Sequence, residues 1–506
     1  MQDHYKKVSF VLPLLCLLFL AGCSSRVSTQ DIRSGLNSGH QDELIGKLQA
    51  AHESHNEFVT ALNLARVYQL QGSWRESITA YAEALYILEE YEQRAVINMR
   101  GILGEAGSIL VSRGSKGYFG TGYERTLLHT FNALNYLMLH DFSGAMVEMR
   151  KMELRQELWL AEEEQRLQEH LEKLRTTKSE NSDDLGRLPA SYSMTALLND
   201  PRTKAIARAY QDAFSYALSA VVGRLAGDTE YAKISLRRAA LLDQNAYALF
   251  SAAWGKGKMI AGQWEPEIPA LSSDQASTGQ ASSGQALAGG ALMRMLNSYG
   301  FDTGYSLSKS RQEVSIIVLC GLAPALRMEQ IRIPAPYVGY LMLELPAYIP
   351  PRQSGTPLAE SSTRQPIAMQ ALLHTDFLAY RTLRDELRYE IGYAVTRAIT
   401  RAAIAGTAYA LASSNDKTQG AAPLIGYMAT GIMDLLATGT SQNVRNWELL
   451  PATGYLAQGY VQSGESVRIQ IEQSSVKIDL PQQAKGVIIL VSYATKDNMR
   501  VDYVAY

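Results

Sequence analysis

The sequence predicts an α+β protein, with paired amphipathic helices over its first half and short strands over its second. Three observations carry that prediction. Helix-period text punctuated by turn residues runs over residues 41–262, and a Ser/Gln/Ala/Gly tract at 271–290 then breaks the composition. Beyond the tract, β-branched and aromatic runs end on Pro and Gly. With 506 residues and 46% hydrophobic content, the chain can bury large cores and is long enough for two or three domains.

The helical half is the more patterned. In ALNLARVYQLQGSWRESITAYAEALYIL, residues Leu64, Ala65, Tyr68, Gly72, Trp74, Ser77, Tyr81 and Ala84 occupy the small and large packing positions of a tetratricopeptide (TPR) repeat. Small residues let two antiparallel helices approach, aromatics fill the gap between them, and Gly72 opens the turn. ALNYLMLHDFSGAMVEMRKM repeats the pattern through Ala133, Tyr136, Asp141, Phe142 and Ala145, with His140 at the turn. A third, looser copy runs through Gly227, Asp228, Ala232, Leu236 and Ala239. A TPR-like α-helical solenoid is therefore expected. The glycine-rich GSKGYFGTGYER, residues 114–125, is no P-loop, because Lys116 is followed by Gly117 and the preceding text reads as helix. It reads as a joint between helices, with Tyr118 and Phe119 as contact residues. Residues 153–178 are heavily charged and suit a long, solvent-edged helix.

The second half begins with EVSIIVLCGL, MEQIRIP and YVGYLMLELPAY, which read as strands. Helical text follows near 376–412 and 423–438, where ITRAAIAGTAYALASS and QGAAPLIGYMATGIMDLLATGTS are nearly uncharged and rich in Ala and Gly. Small residues such as Ala402 and Gly406 permit close helix contact there, so an Ala/Gly-rich helical hairpin is expected, buried under the sheet or serving self-association. The closing SVRIQIE, SVKIDLP, GVIILVSYAT and MRVDYVAY alternate like an antiparallel sheet or small sandwich.

The N-terminus carries the most specific signal. Lys6 and Lys7 precede the apolar run VSFVLPLLCLLFLAG, which is shorter than a membrane span of ~20 residues and has the flanks of a secretory signal. Leu20-Ala21-Gly22-Cys23 resembles the lipobox of bacterial lipoproteins. That resemblance implies cleavage before Cys23 and acylation of Cys23 on its sulfur and amine, palmitate among the usual chains. Several acyl chains hold a protein to a bilayer where one alone does not. Ser24 rather than Asp follows, which in enteric-type sorting implies the outer membrane, facing the periplasm. The expected organisation is a signal peptide at 1–22, a tether at 23–40, the helical domain at 41–262, a linker at 263–295 and a mixed C-terminal domain at 296–506.

The remaining chemistry is sparse. A formal charge of −2 leaves no electrostatic footprint for nucleic acid. Past the signal and Cys23, Cys320 is the one remaining cysteine, so no internal disulfide or paired-cysteine metal motif can form. His52 and His55 share a helix face, with Glu53 and His40 near, but HESH lacks the zinc-protease spacing and reads as solvated surface. His374, Asp376 and Ser308 lie in no nucleophile-elbow context, and the acidic run Glu162 to Glu164 reads as a solvated face. No metal and no cofactor other than the covalent lipid is expected.

Several blocks resemble a little-characterised proteobacterial family of lipoproteins with TPR-like helices: GYFGTGYERTLLHTFNALNYLMLHDFSGAMVEMRK, SIIVLCGLAPALRMEQIRIP and VRNWELLPA, in that order. The chain departs from the family at Cys320-Gly321, where His-Gly is usual. The resemblance implies a cell-envelope setting and no established reaction. The expectation is a non-catalytic, lipid-anchored periplasmic scaffold that binds an envelope protein. Tyr68, Trp74, Tyr118, Tyr136 and Arg150 are the partner-binding candidates, although the first two and Tyr136 also suit a core. Two further readings are an envelope enzyme acting on peptidoglycan or glycan, for which Glu124 and Glu148 would have to converge, and a homo-oligomeric ring or pore component using residues 400–438.

Overall fold

The computed structural model describes residues 27–37, 40–98, 118–177, 191–254, 257–260, 263–266, 311–335, 339–387, 445–496 and 498–506. The signal peptide with Cys23, the core of the Ser/Gln/Ala/Gly linker and the Ala/Gly-rich region at 400–438 lie outside these residues. The architecture is α+β, with helices first and antiparallel-rich sheets after. Among the described residues no helix is long and apolar enough to cross a membrane.

Helix α1 spans Thr29–Asn37, α2 Gln41–His55, α3 Phe58–Gln71, α4 Trp74–Asn98, α5 Gly122–Met138 and α6 Phe142–Thr177. After two short helical turns come α7 Ala213–Leu225, α8 Thr229–Leu242 and α9 Gln244–Trp254. The described part of the stretch expected as a tether is thus largely helical. Ile32 and Leu36 lie one turn apart and both are buried, while Ser28 and Asp31 close the helix start. The sequence reading missed it because two apolar residues in a polar run look like a solvated segment.

Three helix pairs, α3/α4, α5/α6 and α7/α8, turn in the same way. Gly72, His140 and Gly227 have φ of 76°, 62° and 84°, the left-handed conformation that ends helices. Each is followed by a backbone bond that closes the turn: Ser73 N to Tyr68 O at 2.9 Å, Asp141 N to Tyr136 O at 2.8 Å, and Asp228 N to Gly223 O at 2.8 Å. Asp141 and Asp228 then cap the next helix, accepting from the backbone N–H of Gly144 and Tyr231. Packing across the second and third turns is reciprocal. Tyr136, four residues before the turn residue, lies over Gly144, four after it; a Cβ on Gly144 would stand 2.4 Å from the Tyr136 ring. In the third pair the glycine is Gly223 and the ring is Tyr231, with a Cβ-to-ring approach of 2.8 Å.

A five-stranded sheet is the middle layer. Its order is β13-β12-β3-β9-β8, built from Asn498–Ala505, Gly486–Thr495, Arg311–Cys320, Thr453–Gln462 and Met369–His374. All neighbours are antiparallel except β12 and β3, which run parallel with Val487 opposite Val314. That parallel pair departs from the all-antiparallel expectation, because a long chain excursion separates two strands that both carry continuous apolar runs. Alternation along β3 assigns its two faces: Ile317 and Leu319 join the helical core, whereas Val314, Ile316, Val318 and Cys320 face a second sheet. The second sheet, β11-β10-β6-β7, is built from Ser474–Asp479, Ser466–Ile471, Leu358–Ser361 and Pro366–Ile367, and adds Val467, Ile469 and Ile471 to that outer core. Two separate antiparallel pairs join β1 Gly257–Ile260 to β2 Gln263–Pro266 and β4 Ala325–Ala335 to β5 Gly339–Ile349.

Helices and sheet share one core. Residues from α1 to α9, the inner face of the five-stranded sheet and the 445–452 loop form a single buried apolar cluster. Gly454 on β9 has no side chain, so Phe214 of α7 approaches the strand directly; a Cβ there would meet its ring at 3.3 Å.

Candidate functional site

Helices α2, α3 and α4 enclose a groove of about 330 Å³ on the first helix pair. Its lining follows helical arithmetic: Gln49, His52 and Glu53 from α2, Leu64 and Tyr68 from α3, and Glu76, Thr79, Ala80 and Glu83 from α4. Leu64 and Ala80 form a buried apolar floor. Glu53, Glu76 and Glu83 stand exposed at the rim. Across the groove, Gln49 Nε2 donates to the Tyr68 hydroxyl at 2.7 Å, and His52 Nε2 meets Glu83 Oε2 at 3.2 Å. The groove is therefore acidic, with an aromatic wall and an apolar base, a surface complementary to basic and apolar groups.

A wider cleft of about 650 Å³ lies between the first helix turn and the β12–β13 hairpin. Its charged groups are engaged within the chain: Arg500 donates to both Asp502 oxygens at 2.7 and 2.6 Å, and Gln71 donates to Asp42 at 2.8 Å. The smaller groove is the better candidate, because its carboxylates project outward.

The five residues expected to bind a partner are not gathered in one place. Tyr68 lines the groove. Trp74 is half-buried against the core, and Tyr136 is half-buried with its ring over Gly144. The Tyr118 hydroxyl donates to Glu124. Arg150 is exposed on the second pair, bonded to Asp228 at 2.9 Å and 5.8 Å from the Tyr231 ring centre. Cys23 lies outside the described residues. The sequence reading missed Gln49, Glu76 and Glu83 as a set, although the spacing 76, 79, 80, 83 puts one face of α4 on the groove. Among the described residues no three His, Cys, Asp or Glu side chains assemble as a metal site.

The buried carboxylates belong to the frame. Glu124 completes a capping box with Thr121 at the start of α5, the Thr-x-x-Glu signal inside GTGYER that the sequence reading passed over. Its other oxygen accepts from Trp447 N at 2.7 Å, which pins the 445–452 loop. Burial raises the Glu124 carboxyl above its ordinary pKa, against the hydrogen bonds it accepts. Glu148 is held by Lys151 at 2.9 Å and by His129 Nδ1 at 2.7 Å. Burial keeps His129 below the usual histidine range, so a neutral imidazole donates to an ionised carboxylate. Glu124 and Glu148 have separate partners and share none. Burial also pushes the Cys320 thiol up to about 12.

Comparison with protein-family models and with curated proteins returns no match.

Proposed function

We propose that this chain is a non-catalytic, lipid-anchored scaffold of the periplasm, acting in cell-envelope assembly or maintenance. Its helix pairs serve as a TPR-like solenoid, and its acidic groove receives a segment of an envelope protein. One observation carries the reading: three carboxylates ring a half-enclosed groove whose floor and wall are Leu64, Ala80 and Tyr68. The repeated left-handed turn at Gly72, His140 and Gly227 supports the solenoid, since equal turns stack equal pairs. The lipobox supports the anchor at Cys23 and the outer-membrane setting.

The test places a photo-crosslinking side chain at Thr79 in the groove and, for comparison, at exposed Leu241 on α8. A discrete adduct from Thr79 that Leu241 does not give is expected in intact envelopes. Equal labelling from both positions, or none, overturns the docking groove. Separately, Cys23→Ser is expected to move the protein from the membrane to the soluble fraction, and retention in the membrane would overturn the anchor.

A further inference from the structure

Arg66 on α3 is fully buried, and among the described residues it has no carboxylate partner. Its Nε donates to the Leu449 carbonyl at 3.2 Å, its Nη1 donates to Gln69 Oε1, and its guanidinium carbon lies 4.9 Å from the Phe131 ring centre. Burial pulls its pKa down to about 10, which still leaves it charged at neutral pH. A buried charge left uncompensated is strongly unfavourable, and buried charges are normally paired.

The groups around this cation also lack partners. Trp447 is fully buried, and its indole Nε1, which can only donate, has no acceptor. Its ring meets Tyr81 edge-on at 6.0 Å and Phe131 at 6.1 Å, the same ring that Arg66 covers. The Tyr81 hydroxyl is buried without a partner, and burial keeps it protonated. The deficit at this place is one of acceptor and of negative charge together.

We propose that a single small monovalent anion, of halide type, is bound in the core between α3, α4 and the 445–452 loop, against Arg66, Tyr81 and Trp447. A water molecule accepts hydrogen bonds but leaves the guanidinium charge unbalanced, whereas an anion does both. Every member of the set is buried, so the ion enters without its hydration shell, and a monovalent ion loses less on dehydration than a phosphate or sulfate does. The bound ion joins the first helix pair to the loop that leads into β9.

The test uses the full chain. In crystals grown in bromide, an anomalous peak is expected within hydrogen-bond distance of Trp447 Nε1. The thermal midpoint is expected to rise with chloride concentration and to stay flat in sodium gluconate at equal ionic strength. Tyr81→Phe keeps the ring and removes one donor, so it should weaken the apparent chloride affinity about tenfold. Equal midpoints in the two salts with no bromide peak would mean ordered water only and would overturn the proposal. A chloride effect that Tyr81→Phe leaves intact, with bromide seated elsewhere, would overturn it as well.

Discussion

The groove on the first helix pair and the seam where helices meet the sheet use the same residue types to opposite ends. In the groove, Glu53, Glu76 and Glu83 face solvent, and His52 and Glu83 touch only at the rim. In the seam, Arg224 and Glu313 are both buried in direct contact, Glu313 also accepts from Gln458, and Gln458 accepts from Ser315 at 2.8 Å. The first arrangement keeps its charge available to a partner. The second consumes charge to fix how α7 sits on β3. A carboxylate in the text of a sequence says nothing about which of these it is; the number of donors already committed to it does.

The largest effect expected along this contrast is at the seam. Arg224→Met leaves Glu313 buried without its cation, and such a break costs about 3–5 kcal/mol. Chemical denaturation should show a loss of that size, and a loss under 1 kcal/mol would mean that the pair is hydrated. Next comes Asp212, the buried cap of α7, which accepts from Ser215 N at 2.7 Å and whose pKa burial pushes up to about 6. A folded-state pKa raised above the unfolded value stabilises the protein at low pH and loses that contribution as pH rises. Stability should therefore fall by up to about 3 kcal/mol between pH 4 and pH 6 on this account, at roughly 1.4 kcal/mol per pKa unit. In Asp212→Asn, which retains a capping oxygen, that slope should vanish from denaturation curves taken across the range.

Smaller still is the cost of Gly144→Ala. The added methyl meets the Tyr136 ring, and overpacking of this kind costs about 1–3 kcal/mol. The cost should shrink in a Tyr136→Ala background, and a double-mutant cycle without coupling would contradict the reciprocal packing. Smallest is the groove. Glu76→Lys and Glu83→Lys should change stability by no more than about 0.5 kcal/mol, as for exposed sites generally. They should nevertheless abolish the Thr79 crosslink, and adduct yield measured beside the melting curve separates the two effects.

The helix pairs were legible because their turns are local: Gly72 and Gly227 announce a left-handed residue, and Asp141 and Asp228 announce a cap. Strands β3, β4, β5 and β10 to β13 were legible from β-branched runs bounded by Pro and Gly. What stayed hidden is non-local. Strand β9, Thr453–Gln462, is rich in Gly and Gln and becomes a central strand only because β3 and β8 flank it. Asn446 and Trp447, within VRNWELLPA, are assigned no structural role from the sequence. Asn446 ties Pro324 O at 2.7 Å and Leu326 N at 3.0 Å, while Trp447 fills the space between Tyr81 and Phe131. No periodicity encodes contacts across more than three hundred residues. The groove lies between these cases: each lining residue follows helical spacing, but its concavity depends on how α2 leans against α3.

Docking of α1 has a consequence for encounter geometry. Thr29 bonds to Glu448, and Leu44 of α2 presses on Gly35, with 3.0 Å between the Leu44 Cβ and the position of a Cβ there. Only five residues lie between Cys23 and Thr29, a span of at most about 20 Å when drawn straight. If Cys23 is acylated as proposed, α1 is tied to within that span of the lipid headgroups. The search for the proposed partner would then be a lateral, two-dimensional one among proteins near the lipid surface.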